Sequence, residues 1–352
     1  MKKTSKQIEP NENALTVNNL SVSFKTERGL LKAVDSVSFT IPKGSVLGIV
    51  GESGSGKTVL CRTLIRLLPE SNLNIEGSID LFGINVTELR KRQLRQLYKN
   101  VASIIFQDPL TALNPVMKVK HQIAESLKLH TETSRSQRKQ EVIDILELVG
   151  IPDPQIKANC YPHQLSGGQR QRVMIACAIA SSPTLLIADE PTTALDTTIQ
   201  LQILQLLKSL QKLNQMTLIL VSHDLGVVNY ICDYVAVMYA GKLVEFGKTS
   251  DILDHPYMPY TKALLDCMPS LSKPKSQKLQ SIPNSMPDPF SLPLGCRFAP
   301  RCTYVQSRCV IESPKLISDS SEANIHEYAC FFPIKPIVSK VALTSQTDNE
   351  NT

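Results

Sequence analysis

The stretch Gly51-Glu52-Ser53-Gly54-Ser55-Gly56-Lys57-Thr58 follows the apolar run SVLGIV at 45–50 and leads into VLCRTLIRLL at 59–68. Its spacing fits the pattern G-x-x-x-x-G-K-[ST]. VLGIV at 46–50 is short, wholly apolar and rich in β-branched residues, as a buried strand is. The run after the loop carries Leu60, Leu64 and Leu67 or Leu68 at helical spacing. A strand that turns through glycines into a helix gathers backbone N–H groups and the positive end of the helix around one point. Such a point suits a chain of phosphates. Lys57 there reaches the β- and γ-phosphates, and the Thr58 hydroxyl ligates Mg²⁺. Strand, loop and helix agree with one pattern, which a solvent-exposed glycine-rich turn would not require.

A second anion cradle lies about 110 residues downstream. In YPHQLSGGQRQRVMIACAIA (161–180), Ser166, Gly167, Gly168 and Gln169 precede an apolar-periodic helix. Serine and glycines at a helix start again present free N–H groups. One nucleotide rarely needs both ends from one chain. A head-to-tail pair would use them together, each nucleotide lying between one chain's loop and the other's cradle.

LSGGQ resembles the signature motif of the ATP-binding-cassette ATPases, and LLIADEPTTALD at 185–196 is similar to that family's Walker B strand and D-loop. The resemblance implies a P-loop fold of class α/β: a RecA-like doubly wound core, an antiparallel β-subdomain and a helical lobe. It implies roles for single residues as well. Asp189 would hold Mg²⁺ through water, Glu190 would polarise the attacking water, and Asp196 would stand in the D-loop. Gln107, ending ASIIFQDP, is similar to the Q-loop glutamine, which senses Mg²⁺ and contacts the membrane partner. His223, in TLILVSHDL, is similar to the switch histidine at the γ-phosphate. Phe24, in LSVSFKT, stands where the family has an aromatic that stacks on adenine. The alternation of Leu20, Val22 and Phe24 equally suits a core position in a half-buried strand.

The chain has 352 residues, 42% apolar and 20% charged, which is ordinary for a globular protein. Its net charge of +6 is compatible with phosphates or an anionic surface and too small to argue for nucleic acid. The start, MKKTSKQIEPNEN, lacks the apolar stretch of a signal peptide, and runs such as TLILV fall far short of the ~20 residues of a membrane span. A cytosolic protein is the expectation. The expected organisation is a polar tail at 1–14, an ATPase domain at 15–265 with its helical lobe at about 111–172, a C-terminal extension at 266–336, and a second tail at 337–352. Within the domain, 197–214 is expected as a helix buried along Ile199, Ile203, Leu206, Leu210 and Leu213. The basic run RKRQLRQLYK at 90–99 suits a solvated helix face. The Pro- and Ser-rich stretch 268–296 suits an extended connection rather than packed structure.

Cys296, Cys302, Cys309 and Cys330 then follow in the spacing C-x5-C-x6-C-x20-C, while the other five of nine cysteines lie among apolar neighbours and suit buried thiols. Clustered cysteines in a reducing compartment suggest a thiolate site, for zinc or for an iron–sulfur cluster, with unliganded thiols as the remaining alternative. No C-x2-C pair occurs, which tells against a zinc finger or ribbon.

LPLGCRFAPRC is similar to the C-terminal extension of the oligopeptide/dipeptide importer ATPases, in which four cysteines can carry a [4Fe-4S] cluster. FQDPLTALNPVMKVKHQIAESL (106–127), VGIPDP (149–154) and 174–204 resemble the same subfamily. Met258, in MPYT, departs from its usual HPYT. The resemblance implies an ATP- and Mg²⁺-dependent ATPase at the cytoplasmic face of the membrane. Its partners would be a second ATPase subunit of different but homologous sequence, two membrane permease subunits and an extracytoplasmic solute-binding protein. The extension would be structural or touch the membrane subunits, leaving ATP binding to Lys57 and Thr58. A nickel or other small-solute importer is the near alternative. A soluble ATPase acting on DNA or ribosomes is the distant one, and it would bring a coiled-coil insertion or a second cassette, neither of which is visible.

Overall fold

β1 (Asn13–Thr26) and β2 (Gly29–Pro42) form a long antiparallel hairpin, paired from Asn13 with Pro42 to Thr26 with Gly29. Leu15, Val17, Leu20 and Val22 are buried along β1, with bulges where the alternation slips. The computed structural model describes residues 12–130, 134–193, 195–268, 281–318 and 325–334. The expected tail at 337–352, and most of that at 1–14, lie outside the described residues.

After β2 the chain enters β3 (Val46–Val50), buried at every position as a central strand covered on both faces must be. The loop 51–56 and α1 (Lys57–Leu64) follow. β4 (Leu73–Leu81) and β5 (Ile84–Asn85) return to the hairpin and complete a four-stranded antiparallel sheet in the order β2-β1-β4-β5. α2 (Lys91–Asn100) buries Leu94 and Leu97 and turns its basic residues outward, as expected of the run at 90–99. β6 (Ala102–Ile105) then enters the core sheet.

The lobe consists of α3 (Pro109–Ala112), α4 (Val119–His130), α5 (Arg135–Leu148) and α6 (Pro154–Lys157), with Val142, Leu146 and Val149 buried. α7 (Gly167–Ile179) leads back to β7 (Leu185–Asp189), α8 (Thr197–Asn214), β8 (Thr217–Ser222) and α9 (Leu225–Ile231). β9 (Tyr234–Tyr239) and β10 (Lys242–Lys248) form a hairpin through Ala240 and Gly241, both residues having positive φ. α10 (Thr249–Asp254) and α11 (Pro259–Asp266) follow. The extension contributes α12 (Ser307–Ile311), β11 (Ile317–Ser318) and β12 (His326–Tyr328).

The larger sheet has the order β11-β12-β10-β9-β3-β8-β7-β6. Its members β9, β3, β8, β7 and β6 are parallel, and the β10, β12 and β11 edge is antiparallel. The carboxyl ends of β3, β6, β7 and β8 therefore open toward one crevice, where open α/β sheets place their ligands.

Two expectations change. α8 buries Ile203, Leu204, Leu207, Leu210 and Gln211, while Leu213 is 67% exposed. The buried face keeps Ile203 and Leu210 but takes in Gln211, whose amide is satisfied by donating to the Gly44 carbonyl at 2.6 Å, so a polar residue holds a place that hydrophobicity assigns to a leucine. Second, 268–296 is not merely a connection. Of its described residues, Ile282, Met286 and Leu292 pack on the main core. The extension also adds β12 to the edge of β10, pairing Glu245 with Tyr328 and Gly247 with His326.

Candidate functional site

The phosphate loop takes a path that side chains forbid. Gly51 (φ 147°) and Gly56 (φ 99°) lie in the left-handed half of conformational space, and a Cβ on Gly51 would sit 2.9 Å from Ser55 Oγ. A Cβ on Gly56 would run into the Ala33 carbonyl of β2. α1 starts at Lys57 with no side-chain cap, so its first N–H groups face the loop's interior. The buried Lys57 ammonium donates to the Gly51 and Glu52 carbonyls, each at 2.8 Å. Burial lowers its pKa, and the nearby carboxylates of Glu190, Asp189 and Glu52 work against that shift.

β7 delivers Asp189 to the same place. Asp189 is fully buried and accepts from the Thr58 hydroxyl at 3.0 Å. Its second oxygen makes no hydrogen bond, and the Arg62 guanidinium lies 3.5 Å away. Burial raises its pKa, opposed by Thr58 and Arg62. A buried, unsatisfied carboxylate oxygen beside a hydroxyl fits a hard divalent cation such as Mg²⁺.

Glu190 follows in a left-handed conformation (φ 49°), with its N–H donating to Val221 of β8 at 3.2 Å. One of its carboxylate oxygens accepts from Gln107 Nε2 at 3.0 Å and from Thr193 Oγ1 at 3.0 Å, and lies 3.7 Å from His223 Nδ1. Three residues singled out separately in the sequence, Gln107, Glu190 and His223, thus meet at one atom. Each stands just past the end of its own strand. They line a cleft of about 740 Å³ together with Ser53, Gly54, Gly56, Lys57 and Thr58.

Other residues selected from the sequence stand apart from this cleft. Phe24 faces Leu31 across the hairpin and packs on the apolar cluster of the β1–β2 sheet. Leu31 lines the cleft, and Phe24 is not among its lining residues. The core alternative for Phe24 is therefore the arrangement found in this structure. Ser166 and Gln169 close a capping box on α7: Ser166 Oγ accepts from the Gln169 N–H at 3.3 Å, and the Gln169 side chain accepts from the Ser166 N–H at 3.2 Å. Gly167 and Gly168 open the same helix, and none of the four lines this chain's cleft. Asp196 caps α8, accepting from the Ile199 N–H at 3.0 Å.

Cys296, Cys302, Cys309 and Cys330 line one cavity of about 10 Å³, room for about one water, with Met258 and Phe298 beside them. Burial raises the pKa of Cys296, Cys302 and Cys330, that of Cys330 to about 11, and the neighbouring thiols add to it. Four soft sulfurs around one point fit a thiolate-bound group in their chemistry. As they stand, no group of three or more Cys, His, Asp or Glu among the described residues is arranged to hold a single metal ion. Met258, the departure from HPYT, is buried in this wall and stands just before α11 without a side-chain cap bond.

The extension also reaches the cleft, contrary to the expected separation. Met286, Pro287, Asp288, Pro289 and Leu292 form one of its walls. Arg301 grips Glu52 of the phosphate loop with both terminal nitrogens, at 2.5 and 2.9 Å. Arg297 pairs with Asp35 and donates to the Ala240 carbonyl at 2.5 Å. Sequence reading missed these arginines. The available signal was two arginines within a Pro- and Cys-rich stretch, and it carries nothing about a partner some 250 positions away.

Comparison with known proteins places the chain among relatives. The family described as "ABC transporter" matches residues 34–193, and "Oligopeptide/dipeptide transporter, C-terminal region" matches 244–309. The dipeptide transport ATP-binding protein DppD of Escherichia coli is 44% identical over 314 residues, covering 89% of this chain and 96% of its own. DppD of Haemophilus influenzae is 46% identical over 302 residues, covering 86% and 91%. A solved dimeric ATP-binding cassette in a post-hydrolysis state, bound to ADP and Pi, is 27% identical with a TM-score of 0.60 over 67% of this chain and 98% of its own.

Proposed function

The chain belongs to the ATP-binding proteins of the oligopeptide/dipeptide ABC transporters, and from that premise we propose that it is the ATP-hydrolysing subunit of a peptide importer. Carrying this reading is the convergence of Gln107, Thr193 and His223 on the Glu190 carboxylate, in the cleft that also holds Lys57 and Thr58.

In this reading the glycine loop and Lys57 grip the phosphates. Thr58 and Asp189 would hold Mg²⁺, with Gln107 near it, and that ion supplies positive charge to the transferring phosphoryl group. Glu190 orients water for attack and takes its proton. Gln107 fixes the carboxylate, and His223 faces the γ-phosphate. The Ser166–Gln169 helix end serves the nucleotide of a second ATPase subunit, which is why it stands away from this chain's own cleft. Asp196 sits beside it at the start of α8. For Phe24, adenine stacking remains a proposal that requires its ring to leave the apolar cluster.

Among the described residues no helix is long and apolar enough to cross a membrane. In this reading the passage is formed by separate permease subunits. We place this subunit at the cytoplasmic face, docked on two permease subunits through the groove between core and lobe beside Gln107, with a solute-binding protein outside. Nucleotide binding closes the ATPase pair and hydrolysis reopens it. The four cysteines are proposed to hold a [4Fe-4S] cluster, supported by the number of soft ligands that line one place, which would have to open beyond its present volume of about 10 Å³ to admit it. The test is reconstitution of the chain with its permeases in vesicles. Peptide uptake must require ATP and be lost with Lys57→Ala; uptake of nickel and not of peptides would remove the peptide assignment.

A further inference from the structure

Arg301 is buried, its side chain 3% exposed, and all three of its guanidinium nitrogens are engaged. Two hold the Glu52 carboxylate as a fork. The third, Nε, donates to the Pro283 carbonyl at 2.8 Å, and one of the fork nitrogens also reaches the Tyr239 hydroxyl at 3.4 Å. The Glu52 carboxylate hydrogen bonds are the main reason its pKa rises. One side chain of the extension thus joins the phosphate loop, a core strand and the root of the segment that walls the cleft.

Glu52 is fixed at three points. Its carboxylate is held by Arg301, its N–H donates to the Tyr260 hydroxyl at 3.0 Å, and its carbonyl accepts from Lys57. Tyr239, Tyr260 and Phe298 pack together behind it, with ring centroids 4.6 to 5.3 Å apart. Past Pro283 the wall is pinned again. Arg28 of the β1–β2 turn lies 3.5 Å from Asp288 and 4.6 Å over the Phe290 ring, and Asn284 donates to the Pro300 carbonyl at 3.4 Å. Met286 Sδ comes within 3.9 Å of where a Cβ on Gly54 would lie.

We propose that Arg301 is a positioning residue for nucleotide binding: through Glu52 it sets the path of the phosphate loop, and through Pro283 it fastens Met286–Leu292 as the outer wall of the cleft. An arginine–carboxylate pair with its arginine buried and its carboxylate half-buried adds little to stability by comparison with an apolar replacement, so packing alone does not account for its use in this loop. Its effect on binding follows from charge. Without Arg301, an unpaired Glu52 carboxylate would stand in the loop that receives phosphates. The inference rests on the proposed nucleotide site.

The test uses the full chain and MgATP measured by titration calorimetry, with Arg301→Ala, Arg301→Lys, Glu52→Gln and the double variant Arg301→Ala/Glu52→Gln. Arg301→Ala should weaken MgATP by roughly tenfold or more, as loss of one partner of a buried charged pair does. Arg301→Lys, which keeps the charge and loses the fork, should fall between it and wild type. Removing the orphaned charge should bring the double variant back toward wild type, a non-additivity that a purely structural arginine would not produce. Should Arg301→Ala not fold, Arg301→Lys and Glu52→Gln still decide, since wild-type affinity in both overturns the proposal. Strictly additive losses overturn it too. Failure of the wild-type chain to bind MgATP would instead sink the nucleotide site itself.

Discussion

At Glu190 the backbone is left-handed, a conformation that costs a non-glycine residue roughly 1 kcal/mol. The turn is held by the Glu190 N–H on Val221 and carries the carboxylate to Gln107 and Thr193. Glu190→Gln keeps the backbone and the size of the side chain but removes the proton acceptor. Hydrolysis in the assembled transporter should fall by about 10²–10⁴, the usual worth of a positioned base, while MgATP affinity stays near wild type because Lys57 and the loop grip the phosphates. Phosphate release and equilibrium binding check the two halves, and turnover near wild type would remove Glu190 from the role. The residues of this chemistry were legible in the sequence because each sits beside a local pattern: a glycine loop, or an apolar strand ending in a polar side chain. Arg301 was not, because its partner is set by the fold. Phe24 was half legible: its strand and apolar packing were right, but bulges bury Ser21 and Ser23 beside Leu20 and Val22 so that strict alternation fails, and its place at the cleft is not supported by the geometry.

On α8 the two readings of one helix share Ile203 and Leu210 and part at the helix end. Hydrophobic periodicity chose a face ending at Leu213, whereas the buried face takes in Leu207 and Gln211, the latter bonded to Gly44. Periodicity cannot see a satisfied amide. Leu207→Ala should cost about 2–5 kcal/mol, the transfer and cavity cost of a buried leucine. Leu213→Ala should stay within about 0.5 kcal/mol, as exposed substitutions do. Urea unfolding measures both, and equal losses would contradict a buried face built on Leu207. The strand elements fared better, since β3, β7 and β8 are continuous apolar runs with little competing interpretation. β12 was illegible: three residues, HEY, carry no strand signal and gain their pairing only because β10 presents an open edge.

At the scale of the whole molecule, the two phosphate-binding helix ends are separate within one chain, which bears on how the proposed pair is tested. Gly168→Asp is a poor probe, because even a Cβ there would lie 2.9 Å from Ile199 Cγ2 and disturb the α7–α8 contact. Ser166→Arg is better placed, since Ser166 is exposed. It removes a cap worth typically ~1 kcal/mol and puts a long side chain where a second subunit would close. MgATP binding by the isolated chain should be unchanged and ATP-driven closure of the pair lost. Weakening of the isolated chain as severe as with Lys57→Ala would show that the cradle serves its own nucleotide.

The cysteine cavity is the last test at that scale, and the fold changes its expected outcome. An extension that only hung from the core could be loosened without consequence for ATP. In this fold Cys302 directly follows Arg301, and Cys296 directly precedes Arg297, so both thiols are one residue from a contact with the ATPase core. A bound group would make ligation part of the folding energy of residues 290–333. Protein purified without oxygen should be brown, with iron and sulfide in equal amounts. Cys302→Ser should lose the colour, open the extension to protease and weaken MgATP binding in the same direction as Arg301→Ala, whereas Cys177→Ser should do none of these. Cys177 lies outside the cavity that the four thiols line. Colourless anaerobic protein carrying one zinc would replace the cluster and keep the coupling. Metal-free protein whose Cys302→Ser variant resists protease and binds MgATP like wild type would remove both, leaving four thiols around one small cavity beside an arginine that acts without them.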